Sequence, residues 1–356
     1  MVATGVKPNC RICFACAAAG RIIEARFGPG AFPRPSLRFP YRPSAMPPAQ
    51  LVLAPSMICA VVVTYDPDDS SVDCIRSIVA ECAHTLIVDN CSDEERRVGL
   101  RRLQTAKVTL LENTANSGVA AGFNLGIRAA AALNYRWFLL FDQDTRVFPH
   151  TLSELIPAHA QCSAELGPRL GFFGCGYYSA LVDGTTIRHK QRQEEGKAWT
   201  ATDLLITSGT LINLDNFKRI GDFREEFFID HVDHDYSLRA QRMGFTIARS
   251  NARLMVHRLG ALRYRRPWQA LGAKKMLNYY APLRRYYQLR NFLALARSYE
   301  AEFPSSIASL RRSLHREIGR SLRYETGPCR ILISLFMALR DNRRRVSGKY
   351  KGGILL

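Results

Sequence analysis

Ile58-Cys59-Ala60-Val61-Val62-Val63-Thr64 is an unbroken apolar run, rich in β-branched residues, that stops on Tyr65-Asp66-Pro67. A strand apolar at every position, rather than at every second one, is buried on both faces, as in parallel sheets covered by helices. Outward from it, a turn at Asp66-Pro67 and Asp68-Asp69-Ser70 leads into residues 72–82, which carry helical apolar spacing. Thr85-Leu86-Ile87-Val88-Asp89 is the second strand and Val108–Glu112 the third. An Ala-rich helix over residues 120–133 precedes the fourth strand, residues 137–141, which ends on Asp142. Strand and helix alternate, which predicts an α/β fold built on a doubly wound, mostly parallel sheet.

Ligands of such sheets bind at the carboxyl ends of the strands. The polar residues gather there, as Thr64-Tyr65-Asp66, Asp89-Asn90, Asn116-Ser117-Gly118 and Asp142-Gln143-Asp144. A nicotinamide dehydrogenase would use a similar sheet, but it needs Gly-x-Gly-x-x-Gly directly after the first strand. Here that strand runs into Thr64-Tyr65-Asp66-Pro67 without a glycine. Gly118, Gly122 and Gly126 recur every four residues and belong to one helix face, where they allow close packing.

The chain has 356 residues, 47% hydrophobic and 23% charged, enough for one large α/β domain with a smaller appendage. No apolar run approaches the roughly 20 residues that span a bilayer. Residues 331–339 come nearest and are bounded by Arg330 and Arg340. Of ten cysteines, Cys10-x-x-Cys13-x-x-Cys16 has the look of half a zinc site with no second half. The others fall singly, several in apolar runs, as buried thiols do in a reducing compartment. Residues 1–56 are rich in Pro, Arg and Ala and show neither secondary-structure period. They are expected to be a disordered extension or upstream sequence translated from a misplaced start, with a targeting segment as the functional alternative.

Asp142 and Asp144, one residue apart at the end of an apolar strand, are expected to point the same way because strand side chains alternate. Two like charges about 6–7 Å apart are unfavourable unless a cation neutralises them. Magnesium or manganese takes one or two carboxylates together with phosphate oxygens. A solvated Asp-x-Asp loop is the structural alternative.

Five motifs occur in order: Val61-Val62-Val63-Thr64-Tyr65, Val88-Asp89-Asn90, Asn116-Ser117-Gly118 through Gly122-Phe123-Asn124, Phe141-Asp142-Gln143-Asp144, and Phe228-Ile229-Asp230-His231-Val232-Asp233-His234-Asp235. Together they resemble the inverting family-2 glycosyltransferases, and within them the rhamnosyltransferase group that builds bacterial surface polysaccharides. The resemblance spans roughly residues 57–291 and implies a GT-A fold (a Rossmann-like nucleotide-diphospho-sugar transferase) with a C-terminal helical appendage. It implies that Thr64, Tyr65 and Asp89, with Asp66 beside them, hold the base and ribose of a nucleotide-sugar donor. Asn116 and Gly118 would line the donor pocket and Asn124 would support its loop. Asp142 and Gln143 would face the ribose or metal-bound water, while Asp144 would ligate Mg2+ or Mn2+. His257, after the strand-like residues 252–256, sits where the family often supplies a further metal ligand; a structural histidine is the alternative.

An inverting transfer needs a general base for the attacking hydroxyl and a stabilised leaving group. Asp233 aligns with the aspartate of the family's Glu-Asp motif and is the candidate base. Val232 stands where the family usually has Glu, so that residue's contact is missing or comes from Asp230; Asp235 could instead cap a helix. Ser208 and Gly209 resemble the acceptor-side loop, with a tight turn at Gly209 also compatible. Arg285 and Arg290, on a predicted helix, suit a diphosphate, with a solvated basic helix as the alternative.

The net charge is +19. From Ile307 to Tyr350 apolar residues alternate with arginines, which predicts one or two amphipathic helices with basic polar faces on an anionic membrane surface, or an ordinary solvated tail. No nucleic-acid-binding signature is apparent. The expected organisation is an extension over 1–56, a catalytic domain over 57–270 and a basic helical region over 271–356. The expected activity transfers a deoxysugar, L-rhamnose from a thymidine diphosphate donor, to a glycan or polyprenyl-linked glycan at the cytoplasmic face of a bacterial inner membrane. Another donor sugar, a nucleotidyltransferase and a non-enzymatic basic binding protein are the alternatives, and the oligomeric state is open.

Overall fold

In the computed structural model the Ile58–Thr64 run is strand β1, buried at all seven positions. The structure describes residues 53–180, 196–258, 281–325 and 327–353, together with the short strands Ile12–Ala15, Ile22–Ala25, Thr186–Ile187, Ala261–Arg263 and Leu277–Tyr279. β1 pairs in parallel with β2 (His84–Asp89), β2 with β3 (Val108–Glu112), and β1 on its other side with β4 (Trp137–Asp142). Helices α1 (Asp69–Glu81), α2 (Glu94–Arg101) and α3 (Val119–Ala132) make the crossovers. α1 starts where Asp68 accepts the Ser71 amide at 2.7 Å, capping an otherwise unpaired first turn.

The second half of the sheet departs from a purely parallel plan. After β5 (Thr145–Val147), α4 (Thr151–Leu166), β6 (Leu170–Ala180) and β7 (Trp199–Ala201), strand β8 (Thr210–Asn213) enters antiparallel between β4 and β6. α5 (Leu214–Ile220) and α6 (Val232–Arg242) lead to β9 (Thr246–Arg258), which runs parallel to β6 and antiparallel to β5 and β7. The strand order is β3-β2-β1-β4-β8-β6-β9-β7. The fold is therefore α/β, with a mixed, mostly parallel sheet flanked by helices.

Alternate residues of β1 go to opposite layers, as a period of two requires. Cys59, Val61 and Val63 pack with α3 and α6, while Ile58, Ala60 and Val62 pack with α1 and α4. The first layer continues through Phe292 and Leu295 of α7 (Pro282–Tyr299) into Ile307 and Leu314 of α8 (Pro304–Tyr324). The last helix, α9 (Pro328–Arg343), sets Met337 and Ala338 against Tyr286 and Tyr287 of α7. The C-terminal helices thus share a core with the sheet. Within the stretch read as unstructured, Ile12–Ala15 and Ile22–Ala25 form an antiparallel pair, with Phe14 opposite Ile23. Cys10, Cys16 and the remainder of residues 1–52 lie outside the described residues.

The glycines of α3 serve close packing, as their spacing suggests. A Cβ on Gly122 would lie 2.7 Å from Val63 Cγ1, and one on Gly126 2.3 Å from Val61 Cγ1. Gly126→Val is accordingly expected to lower the unfolding free energy by about 1–3 kcal/mol, since overpacking outweighs a few tenths gained in helix propensity. Urea denaturation midpoints of the two proteins check it.

Candidate active site

A cleft of about 610 Å³ opens at the carboxyl ends of β1 and β4. Thr64, Tyr65, Asn116, Gly118, Asp142, Gln143 and Asp144 line it, with Asp230, Asp233 and His257 across from the strand ends. Gln143 clamps the chain after β1, accepting the Tyr65 amide at 2.7 Å and donating to the Tyr65 carbonyl at 3.2 Å. Asn90 ties the second strand end to the third loop: it donates to the Gly118 carbonyl at 3.0 Å and accepts the Ser117 amide at 3.1 Å. Gly118 has φ +91°, and a Cβ there would lie 2.5 Å from the Phe228 carbonyl oxygen. Only glycine fits that turn.

Asp89, which the resemblance gives to the donor, and Asn124, which it gives to the support of the loop, are both buried in the scaffold. Asp89 is fully buried and outside the cleft lining; it accepts Arg97 Nε at 3.0 Å, the Ser92 hydroxyl and amide, and the Thr64 hydroxyl at 3.4 Å. Asn124 is also fully buried, donating to the Phe223 carbonyl and the Glu225 carboxylate at 2.9 Å each and accepting the Phe223 amide. Asp66, likewise outside the lining, accepts the Asp93 amide at 2.8 Å.

β4 ends at Asp142, and Gln143-Asp144 form a turn into β5. The aspartates converge through that turn rather than through continued pleating. Asp142, Asp144 and His257 each offer a ligand atom, all within 4.8 Å of one another. His257 arrives on β9, opposite Thr145 of β5. Its Nδ1 lies 2.9 Å from the Thr145 hydroxyl and 3.5 Å from Asp144 Oδ1. The Ser208 hydroxyl lies 2.7 Å from that of Thr145 and accepts the Asp142 amide at 2.9 Å, so both sides of the trio are braced. Burial pushes the Asp142 carboxyl up to about 6; His257 and Arg284 counteract this, while Asp144 and Asp233 add to it. Asp144 Oδ1 is buried without a hydrogen-bond partner. A carboxylate held up in this way and an unsatisfied carboxylate oxygen, beside an imidazole, are a donor set that fits a divalent cation. Gly209, at φ +76°, passes under Met255, whose Cε would be 2.6 Å from a Cβ there.

Asp233 stands in the first turn of α6, its Oδ1 accepting the His234 amide at 2.8 Å. Just before it, Phe228, Asp230 and His231 all have positive φ, 63°, 63° and 62°. Such backbone is disfavoured for non-glycine residues and persists only where surroundings over-determine it. Asn291 does so by donating to the Phe227, Ile229 and Asp230 carbonyls at 2.8, 2.8 and 3.1 Å. Arg290 holds the Glu226 and Phe227 carbonyls at 3.2 and 3.3 Å and is buried. Arg285 is buried too, paired with Glu317 and Glu325. Neither arginine lines the cleft; the neighbouring Arg284 does, 3.2 Å from Asp230 Oδ2. Burial raises the Asp230 carboxyl, with Arg284 opposing. Asp235 is no cap: it is buried inside α6 and held by Arg239, Arg224 and the Tyr299 hydroxyl.

Residues 59–216 match the family model for Glycosyl transferase family 2. They form a glycosyl transferase family 2 domain. The dTDP-rhamnosyl transferase RfbF of Shigella flexneri is 27% identical over 246 residues, 68% of this chain and 80% of that protein. The galactofuranosyltransferase GlfT1 of Mycolicibacterium smegmatis is 37% identical over 117 residues, covering 32% of this chain and 38% of its own length. The crystal structure of S. aureus TarS 1–349 superposes with a TM-score of 0.50 at 14% identity, over 81% of this chain and 80% of that one, a likeness of fold. The chain is a glycosyltransferase of the GT-A fold.

Three parts of the glycosyltransferase cleft were not legible from the motifs. Arg284 adjoins Arg285 in sequence, and nothing in composition distinguishes which guanidinium faces solvent. Thr145 follows the Asp-Gln-Asp motif directly, but a turn at residues 143–144 intervenes, so strand alternation could not tie it to the aspartates. The wall made by Leu310, Ser313, Leu314 and Glu317 shows helical spacing, but its partner surface lies about two hundred residues upstream.

The raised Asp142 carboxyl gives a pH window. In metal-free protein it binds a proton between about pH 4 and 6 that the unfolded chain has released, so stability falls as pH rises through that range. Cation binding needs the carboxylate and follows the opposite trend. The rise in melting temperature on adding manganese should therefore be full above about pH 6, shrink below it, and vanish in Asp144→Asn; differential scanning fluorimetry across pH checks this.

Proposed function

We propose that the chain is an inverting glycosyltransferase that moves L-rhamnose from a thymidine diphosphate donor to a hydroxyl of a glycan or polyprenyl-linked glycan. The observation that carries this reading is the cleft itself, where Asp233 faces the Asp142-Asp144-His257 trio within one volume. The catalytic unit is assigned to residues 57–270, and residues 271–356 complete the cleft wall. The similarity to a protein named dTDP-rhamnosyl transferase supports the donor. The overlap with a galactofuranosyltransferase favours, as second reading, a different donor sugar on the same machinery.

Asp142, Asp144 and His257 would hold magnesium or manganese. A divalent cation bound there offsets charge on the departing diphosphate. Thr64, Tyr65, Asn116 and Gly118 receive the nucleotide along the strand ends, the Gln143 clamp fixing the Tyr65 backbone. Asp233 takes the proton of the acceptor hydroxyl as its oxygen attacks the anomeric carbon opposite the leaving group, which inverts that centre. Arg284 holds Asp230 on the same rim and keeps the Asp233 neighbourhood from becoming wholly anionic. With a lipid-linked acceptor as its substrate, the enzyme would act peripherally at the cytoplasmic face of a bacterial inner membrane, in surface polysaccharide synthesis.

A panel of nucleotide sugars with manganese or magnesium tests this. Thymidine diphosphate should be released from dTDP-L-rhamnose, and the wild-type melting temperature should rise with that donor. Asp233→Asn should cut kcat by about 10²–10⁴-fold and keep the donor-induced rise. Release of pyrophosphate, or no response to any donor, would overturn the reading.

A further inference from the structure

Eight large hydrophobic side chains are exposed among the described residues, and five of them fall between Leu332 and Val346. Leu332 is 53% exposed, Ile333 42%, Phe336 66% and Leu339 43%, and their spacing makes one stripe along α9. The opposite side of α9 is spent on α7, through Met337 and Ala338. α8 has no comparable stripe, because its apolar residues Ile307 and Leu314 are buried in the main core and Leu310 and Ile318 pack against it. The amphipathic pattern of residues 307–350 thus resolves into one helix that completes the fold and one that leaves an apolar face uncovered.

That face has a cationic rim. Arg330, Arg343, Arg344, Arg345, Lys349 and Lys351 are exposed and have no acidic partner among the described residues. Asp341, the acidic residue of 327–353, is buried and already accepts the Tyr286 hydroxyl and Arg340. An apolar stripe whose exposed charged neighbours within residues 327–353 are all basic matches acyl chains beneath anionic headgroups. It matches a second copy of the chain badly, because a two-fold contact would set like-charged rims against each other.

We infer that α9 is a membrane-docking helix: Leu332, Ile333, Phe336 and Leu339 enter the interfacial region of an anionic phospholipid bilayer while the arginine and lysine rim binds its headgroup phosphates. The inference deepens, and rests on, the peripheral location proposed for the enzyme. No helix among the described residues is long and apolar enough to cross a membrane, so the contact lies in the interface plane. α9 is tied to the catalytic loop, since Asn342 donates to the Arg290 carbonyl at 3.1 Å and Arg290 grips residues 226–227. Docking therefore seats the cleft at a fixed position relative to the bilayer.

Sedimentation of the full chain with vesicles tests it. The wild type should bind phosphatidylcholine vesicles containing phosphatidylglycerol, bind pure phosphatidylcholine weakly, and dissociate as salt rises. A Leu332→Ser/Phe336→Ser variant should lose at least about tenfold in partitioning. Arg343→Ala/Arg344→Ala/Arg345→Ala should lose roughly a hundredfold, at about fivefold per cation. Both should keep the wild-type melting temperature and donor hydrolysis in vesicle-free buffer. Equal partitioning of wild type and variants, or no selective binding, would overturn the inference. So would a lipid-free wild-type dimer that Phe336→Ser converts to monomer, which assigns the face to a second copy. Vesicle binding without turnover of any nucleotide sugar would keep the surface and remove the glycosyl-transfer reading; turnover without vesicle binding would do the reverse.

Discussion

The backbone carbonyls of Glu226, Phe227, Ile229 and Asp230 point into the protein, and two adjacent side chains of α7, Arg290 and Asn291, satisfy them. A buried carbonyl left unpaired costs about as much as a lost hydrogen bond, and here several are clustered. The grip also fixes left-handed backbone at Phe228, Asp230 and His231, each unfavourable by of order 1–3 kcal/mol. The strain aims Asp230 into the cleft and starts α6 so that Asp233 faces the strand ends. The same loop reaches α3, where the Val119 amide donates to the Phe228 carbonyl at 2.8 Å and Gly118 leaves room for it. The loop before α3 and the start of α6 are therefore set against each other by a single segment.

Charge balance imposes the second constraint. Asp142, Asp144, Asp230 and Asp233 share one cleft with Arg258, Arg284 and His257. Burial and mutual repulsion hold Asp142 and Asp230 above the usual carboxylate range. A nucleotide diphosphate brought to such a rim adds further negative charge, so donor and cation favour each other and are expected to bind as a unit. Asp89 shows the contrasting solution: its carboxylate is paired with Arg97 inside the scaffold and accepts two hydroxyl groups.

Local pattern made the parallel half of the sheet readable. β1 to β4 fall within a residue or so of the expected spans, because continuous apolar runs ending in polar clusters allow few other placements. The antiparallel β8 was not readable, since four residues of Thr-Leu-Ile-Asn carry no information about the direction of their neighbour. At the site, Thr64, Tyr65, Asp142 and Asp144 from the strand ends line the cleft, while Asp89, Asn124, Arg285 and Arg290 are buried among scaffold partners. Sequence marks a charged residue but not its partner. Arg290 and Arg284 differ in whether a buried carbonyl or an open cleft lies opposite, and that is decided by chain segments about sixty residues away.

The family match ends at residue 216, so it covers β1 to β8 with Asp142 and Asp144 but not Asp230, Asp233, His257 or Arg284. The strand-end half of the cleft is thus the half that the family model covers. The opposite half is built from α6, β9, α7 and α8, and its identity follows from this chain's own contacts. Glu317 illustrates it: the residue lines the cleft and at the same time pairs with buried Arg285 at 3.1 Å. Its carboxylate cannot turn fully toward an acceptor without leaving a buried guanidinium underpaired, with Glu325 as the remaining anion. The α8 wall is for that reason a rigid boundary rather than a lid. Leu310, Ser313, Leu314 and Glu317 of that wall line the same cleft as Asp233, and the ion pair with Arg285 of α7 helps to hold them there.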